Sequence, residues 1–507
     1  MGFVDLNNAQ LAGGAIKVNI ESPSTGFGEL QVSQLNAQAQ GDFVYNVANE
    51  QIFITSSFSG GSVSFASGMC ELNSGTNPSG SATIQTRRGL KYRPGQGSLM
   101  RATALFDTPD AGNAQFVGVG TAESGYFVGY FGENYGILHS ETGQREIRKY
   151  TVSSGANTGN VTVTLDGDSI VVPVVGGSDP ARTAYQLSNA DYSQLGKGGW
   201  IASAVSSSVY FISARSNSTS TGSYSASGAT IAGTFTRTKA GLAQTNTFIP
   251  SSSFNIDTLD GQGPSRMIID PQKGNVYEIS YQYLGFGNAF FSVEDPETGK
   301  FTPVHTIKNA NKRTTPVLKN PNASVLVTSA NIGGTASKTS KTVSIASFVE
   351  GPIVPLDPRF SKGFLIPTVN SVTFLPIAMF QVNRTYNEES CFGEIDLTRL
   401  SLSNETNQKT LEIGLFLDVT VSGDVDLQPV DGTSSIVSYA ELSTSANAIV
   451  NIANLTPFHR AIAVGGSTST EDLESLRMVI QNGGTLVVGV RGNNAQGRTA
   501  ISWFEQQ

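Results

Sequence analysis

Charge is what this sequence has least of. Of its 507 residues only 14% are Asp, Glu, Lys or Arg, against about 25% in an ordinary soluble protein. Extended helix surfaces laced with Lys and Glu are therefore scarce. The net charge of −8 argues against a general nucleic-acid binder, which needs a basic face to displace counterions. Cysteine numbers two and histidine three. Cys70 and Cys391, far apart in the chain, make no disulfide framework, and two cysteines cannot make a four-ligand zinc site unless histidines join them; they read as free or buried thiols. No apolar run approaches the ~20 residues needed to span a bilayer. The opening "MGFVDLNNAQLAGGAIKVNI" lacks the basic start and apolar core of a signal peptide. Leu6 stands where a myristoylation signal has Ser or Thr. The expectation is a chain made in a cytoplasm, without membrane insertion. GxxxxGK[ST], HExxH and GxSxG are all missing.

What is present favours strands and turns. There are 55 glycines, and Ser and Thr dominate the polar residues. "DFVYNV", "QIFITSSF" and "SVSFAS" alternate with period two, and "AQFVGVGTAESGYFVGYFGENYGILHS" reads as three strands. From 149 to 242 the texture changes. "NVTVTLDGDSIVVPV" is a hairpin turning at Asp166-Gly167-Asp168. "SDPARTAYQLSNADYSQL" is a helix capped by Asp179, with Pro180 in its first turn. Two further strands follow, so 149–242 is expected to be a ββαββ module inserted into another domain and projecting from one end of it. The first texture resumes at 243, with DPxxG turns at 270–274 and 295–299. Pro-rich 352–360 reads as a linker. The last unit, 361–507, holds alternating strands and one expected helix, "TEDLESLRMVIQN", with Ser469 as cap and Gly483 after its end.

Candidate chemistry is sparse. "GVGTAE" (118–123) lacks the third glycine and the helix of a dinucleotide fingerprint, so it reads as a turn. His139, His305 and His459 are isolated and read as strand residues with local partners. Asp257 and Asp260, and Glu294 and Asp295, sit among Gly and Pro, where turn chemistry is the plain reading. A calcium ion at Asp257/Asp260 and a glycosidase carboxylate pair are the functional alternatives. Tyr281, Tyr283 and Phe286 are the candidates for glycan contact. The densest charge is "RRGLKYRPGQGSLMRATALF" (87–106). Phosphate binding would want a helix N-terminus or a nest of backbone N–H groups, but this stretch reads as a Pro-Gly turn and a strand. Arg87, Arg93 and Arg101 are better placed to pair with acids of neighbouring strands or subunits, since the planar guanidinium binds carboxylate bidentately.

The same stretch carries a resemblance. "RRGLKYRPGQGSLMRATALFDTPDAGNAQFVGVGTAESGYFVGYFGENYGILH", "IDTLDGQGPSRMIIDPQKGNVYEISYQYLGFGNAFFSVEDPETGKFTPVHTI" and "TTPVLKNP" through "ASFVEG" resemble virion structural proteins of the YRPGQG-containing capsid, spike or fibre type. These occur in large DNA viruses of algae and protists and in aquatic tailed phages. The resemblance covers roughly residues 25 to 350, and 149–242 resembles a module inserted into many of them. It implies a non-enzymatic virion component with no catalytic residues and no cofactor.

The expected architecture is all-β. Residues 1–42 form an arm lying on a neighbour. Residues 43–148 plus 243–351 form a jelly-roll-like β-sandwich, 149–242 an inserted small α+β module, 352–360 a linker and 361–507 a second β-sandwich-like domain. The expected role is a minor capsid, vertex, spike or fibre protein, assembled in the host cytoplasm as a homo-oligomer (trimer or pentamer) with other virion proteins. Host attachment through a surface glycan is a further role. No cofactor, metal or nucleic acid is expected. The alternative is a glycan-binding or glycan-cleaving tailspike or adhesin.

Overall fold

The computed structural model describes residues 10–12, 15–17, 35–90, 95–175, 179–196, 198–217, 219–228, 230–320, 322–351, 357–423, 425–432, 434–442, 448–476 and 478–506. The protein is all-β, built almost wholly of antiparallel sheets. No helix among the described residues is long and apolar enough to cross a membrane.

Two sheets face each other in the first unit. One has seven strands, in spatial order Thr245–Pro250, Asn134–Glu141, Gly125–Phe131, Asn113–Gly120, Ser324–Asn331, Ser81–Thr86 and Phe53–Phe58. The other has six: Phe301–Ile307, Ala289–Glu294, Asn275–Tyr281, Ser98–Ala104, Ser344–Glu350 and Leu35–Asp42. The alternation seen in the sequence sends Val117, Val119, Tyr126, Val128, Val325 and Val327 inward from the first sheet. Met100, Ala102, Tyr277, Ile279, Phe291 and Ile345 meet them from the second. Each Val, Ile, Phe or Met among them contributes about 1.5–3 kcal/mol on burial. Asn113–Gly120 and most of Gly125–Phe131 are buried on their other face too, where Phe116, Phe127, Leu138 and Leu326 of the same sheet pack together.

Leu35–Asp42 is an edge strand of the six-stranded sheet, paired with Ser344–Glu350. The end of the expected arm thus closes an otherwise open edge of its own sandwich. Of the remainder, Gln10–Ala12 and Ala15–Lys17 form a hairpin, and the other residues up to 34 lie outside the described residues.

Asn134–Glu141 and Thr245–Pro250 are paired neighbours, and the inserted module leaves and returns between them. Its sheets are Trp200–Val205, Ser208–Ser213, Ile147–Ser154 and Ala232–Lys239, and Asp168–Val174, Gly159–Leu165 and Ser225–Gly228. The helix Pro180–Ser188 packs with them, and Asp179 accepts from the N–H groups of Ala181 and Arg182 at 2.8 and 3.1 Å. The module does not simply project. Tyr185 and Ala204 are buried in a cluster with Phe374, Met379, Phe416 and Val487 of the last unit, and the Tyr185 hydroxyl donates to the Val421 carbonyl at 3.1 Å.

The last unit is organised by two long strands, Arg359–Val382 of 24 residues and Thr485–Gln506 of 22, against the usual 3–10. They pair along most of their length, with register shifts that bend the ribbon. Arg359 and Phe360, at the end of the expected linker, already belong to the first of them. The expected helix over "TEDLESLRMVIQN" is replaced by strand Thr468–Asp472, a 3-10 turn at Glu474–Leu476 and strand Val479–Gln481. Both strands pair with the edge of Glu394–Asn404. An unpaired ladder next door and burial of Leu473, Met478 and Ile480 outweigh a helix preference of a few tenths of a kcal/mol per residue.

Cys70 and Cys391 are free and buried. Burial pushes their thiols up to about 12 and about 11, so neither is a reactive thiolate at neutral pH.

Candidate functional site

The outer face of the seven-stranded sheet is the floor of a cleft of about 1510 Å³. One row of register partners on that face runs Ile54, Gln85, Leu326, Gly118, Phe127, Leu138 and Phe248. The next runs Ser56, Thr83, Thr328 and Phe116. The glycines of "GVGTAE" belong to this floor. A Cβ on Gly118, Gly120 or Gly125 would lie 2.7, 2.6 or 2.4 Å from the Phe127 ring, so three glycines let one aromatic ring lie against the sheet.

The basic stretch supplies one wall. Arg87 and Arg88 pair with acids far along the same chain: Arg87 Nη2 is 2.6 Å from Asp418 Oδ2 and Arg88 Nη2 is 2.6 Å from Asp396 Oδ1. Next to them the Gly89 N–H donates to Glu394 Oε2 at 3.1 Å, and Gln481 Nε2 donates to the Thr86 carbonyl at 2.9 Å. Residues 86–89 are thus where the C-terminal unit docks on the first sandwich. Arg101 is apart from this, on its strand, paired with its register partner Glu278 at 2.8 Å and stacked over Phe301. Arg93 lies outside the described residues.

The inserted module supplies the other wall. Arg145 Nε donates to the Ser213 carbonyl at 2.6 Å, and its own N–H reaches Glu123 Oε1 at 3.1 Å. Arg215 donates to carbonyls of the first sandwich, those of Asn331 and Gly80, at 3.3 and 3.2 Å. Arg384, from the last unit, also lines the cleft. Burial drives the guanidinium of Arg145 down to about 10, with Glu123 opposing and Arg384 adding to the fall. Burial does the same to Arg215, to about 10, and lowers Arg384, with Asp418 opposing. These three arginines were not singled out by sequence. The available signal was their type: in a chain so poor in charge, an Arg amid hydroxyl and apolar residues is paying a desolvation cost that needs a reason.

The other residues singled out from the sequence lie elsewhere. Tyr281 is buried at 4% exposure, because it shares strand parity with Tyr277 and Ile279 and so faces the core; it is no surface contact for a glycan. The Tyr283 hydroxyl donates to the Leu318 carbonyl at 3.0 Å. Of the three candidates only Phe286 is exposed. The Asp257 carboxylate accepts from the N–H groups of Leu259 and Ser265 at 2.9 and 2.8 Å. Asp260 accepts from the Gln262 N–H and the Thr258 hydroxyl, and these bonds hold its carboxyl below the usual value. Both are turn-builders whose oxygens face donors. Asp295 likewise accepts from the Glu297 N–H and the Thr298 hydroxyl. Among the described residues no three His, Cys, Asp or Glu side chains are grouped to hold a metal ion.

The histidines are framework groups. His139 stacks on Tyr126 at 4.6 Å, with Nε2 3.1 Å from the Val317 carbonyl and Nδ1 2.9 Å from Glu141 Oε1. Arg313 pairs with the same carboxylate. His305 Nδ1 accepts the Asn255 N–H at 3.1 Å, a bond only the unprotonated nitrogen can make. His459 opens an edge strand, its Nε2 buried without a hydrogen-bond partner. Burial lowers both the His139 and the His305 pKa; for His139, Glu141 and the Val317 carbonyl oppose it and Arg313 adds to it. When the folded-state pKa is lowered, the unfolded chain takes the proton first. The stabilisation is then complete above the ordinary histidine pKa of about 6.5 and is lost as pH falls through and below it. Urea midpoints measured between pH 7.5 and 5.5 should therefore fall for the wild type and fall less steeply for His305→Gln. Equal slopes would remove His305 from this account.

Comparison with protein-family models finds none that matches the chain, and comparison with curated proteins finds no relative. Among solved structures, the Emp47p carbohydrate recognition domain is similar at 7% identity and a TM-score of 0.24, covering 63% of this chain and 98% of that one. The VIP36 exoplasmic/lumenal domain is similar at 10% identity and a TM-score of 0.24, covering 64% and 95%. A Lotus tetragonolobus seed lectin is similar at 9% identity and a TM-score of 0.21, covering 62% and 100%.

Proposed function

We propose that the chain is a non-enzymatic structural component of a virus particle that assembles with further copies of itself. The resemblance of residues 25 to 350 to virion proteins supports the reading, and one surface carries it. Strand His459–Val464 has one ladder partner, Thr410–Leu417, among the described strands, and its outward Ile462 and Val464 are 53% and 58% exposed. Ile462 is the register partner of Glu412, which in turn pairs with Arg491 at 2.7 Å. Arg491 donates to the carbonyl of Val372, a residue 88% exposed. Two exposed apolar side chains, flanked by Arg460 and beside a strand edge without a second ladder partner among the described strands, are a template for another subunit, and closed symmetry uses it without runaway growth.

The full chain should sediment as a trimer or pentamer, and Ile462→Asp combined with Val464→Asp should reduce it to the 53.3 kDa monomer. A wild type that stays monomeric at tens of micromolar sinks the assembly reading. Failure to find peptides of this chain in purified particles sinks the virion reading. Host-glycan contact is a second part of the proposal, favoured by the aromatic and hydroxyl floor of the cleft.

A further inference from the structure

We propose that the cleft between the outer face of the seven-stranded sheet, the inserted module and the C-terminal unit binds an acidic saccharide, whose carboxylate or sulfate is received by Arg87, Arg145 and Arg384. The inference rests on the glycan-contact part of the proposed function and is independent of whether the chain assembles.

It starts from two unmet donors. Arg87 Nη1 and Arg145 Nη2 are buried and have no hydrogen-bond partner, in residues only 4% and 7% exposed. Both residues line the cleft. A buried guanidinium N–H left unpaired costs about 1–3 kcal/mol or more, so a site that keeps two of them invites an acceptor. Arg384 lines the same cleft, where its charge acts on Arg145 and that of Asp418 acts on it.

Four of the nearby carboxylates are already engaged. Asp418 is held by Arg87. Glu123 accepts from the Arg145 N–H and lies 3.0 Å from Lys319 Nζ. Asp396 is held by Arg88 and Glu394 by the Gly89 N–H. Arg87, Arg145, Arg215 and Arg384 line the cleft together with Glu50, Asp191, Glu394 and Asp418, so the case for an anion rests on the two unmet donors, to which a carboxylate or sulfate would bring charged acceptor oxygens.

The floor selects a saccharide over a bare ion. Leu326, Phe127 and Leu138 form an apolar track. The hydroxyls of Thr83 and Thr328, 2.8 Å apart, lie in the adjacent row with Ser56. A sugar ring presents a C–H face to such a track and hydroxyls to such a row. The volume also exceeds what one small ion fills.

The test is calorimetric titration of the full chain at low salt with tetragalacturonate, a sulfated heparin tetrasaccharide, neutral maltotetraose and sodium sulfate. Either acidic oligosaccharide should bind at least tenfold tighter than maltotetraose. Arg145→Gln should lose that preference. Thr328→Trp, which fills the floor and leaves every arginine in place, should lose binding with an unchanged unfolding temperature. Binding should persist in the Ile462→Asp/Val464→Asp chain, so that failure here and failure of the assembly reading remain distinct. Equal affinity for the neutral sugar, binding of sulfate but of neither acidic oligosaccharide, or no binding by any of the four overturns the proposal.

Discussion

Replacing Arg87 by methionine should cost about 2 kcal/mol and loosen the C-terminal unit from the first sandwich. The estimate starts from the ~3–5 kcal/mol expected when one partner of a buried ion pair is removed. It is reduced because the Asp418 side chain is 36% exposed and water can solvate the orphaned carboxylate. Methionine fills most of the volume, so the loss reports on charge and hydrogen bonds. The Glu50 carbonyl also loses its donor, Arg87 Nε, at 2.7 Å. The chain has two tryptophans, Trp200 in the inserted module and Trp503 in the last unit. Fluorescence-detected urea unfolding should show the Trp503 transition moved to lower urea. Arg101→Met, which breaks the Glu278 pair inside one sheet, should leave the spacing between the two units' transitions as it was. A Trp503 midpoint unmoved by Arg87→Met would mean that the docking at residues 86–89 is held by something else.

Trp503→Ala should have the largest effect of any single change in the C-terminal unit, about 4 kcal/mol. Trp503 is fully buried, stacked near Phe360 and edge-on to Phe380, so truncation opens a large cavity. Its indole N–H also donates to Glu505 Oε1 at 2.8 Å. Glu505 is itself fully buried and relies on that donor together with the Ser435 hydroxyl and the Ile436 N–H at 2.5 and 2.8 Å. Trp503→Phe keeps much of the packing and removes only the donor, so it should fall between, at about 2 kcal/mol. Thermal unfolding followed by far-ultraviolet circular dichroism reads both. If the phenylalanine variant matches the alanine one, the carboxylate matters more than the cavity. If both match the wild type, the core assignment of this unit is wrong.

The two predictions differ in how far the sequence led toward them. That Arg87 would pair with an acid followed from its residue type in a charge-poor chain. That the acid is Asp418, and that the pair joins two units, depended on where the chain returns. Local signals fared similarly. Asp179 and Pro180 start a helix because capping is decided within a few residues. Asp295 closes its turn for the same reason. The segment from Thr468 to Gln481 has equally good local signals for a helix, yet becomes two strands, because the edge of Glu394–Asn404 offers it a ladder the sequence does not announce. Tyr281 shows the same limit at the scale of one residue: alternation put Tyr277, Ile279 and Tyr281 on one face, and nothing local said that this face is the inner one.

The cleft was the least legible feature. Its floor comes from one sheet, and its arginines come from a strand end, the base of the inserted module and the last unit. Composition and period determined by themselves that this is an all-β protein of short turns and pleated strands, because strand periodicity and turn chemistry act over a few residues. Only the tertiary structure decided which face of each strand is buried, which edges are filled and which charges meet, because those depend on neighbours hundreds of residues away along the chain.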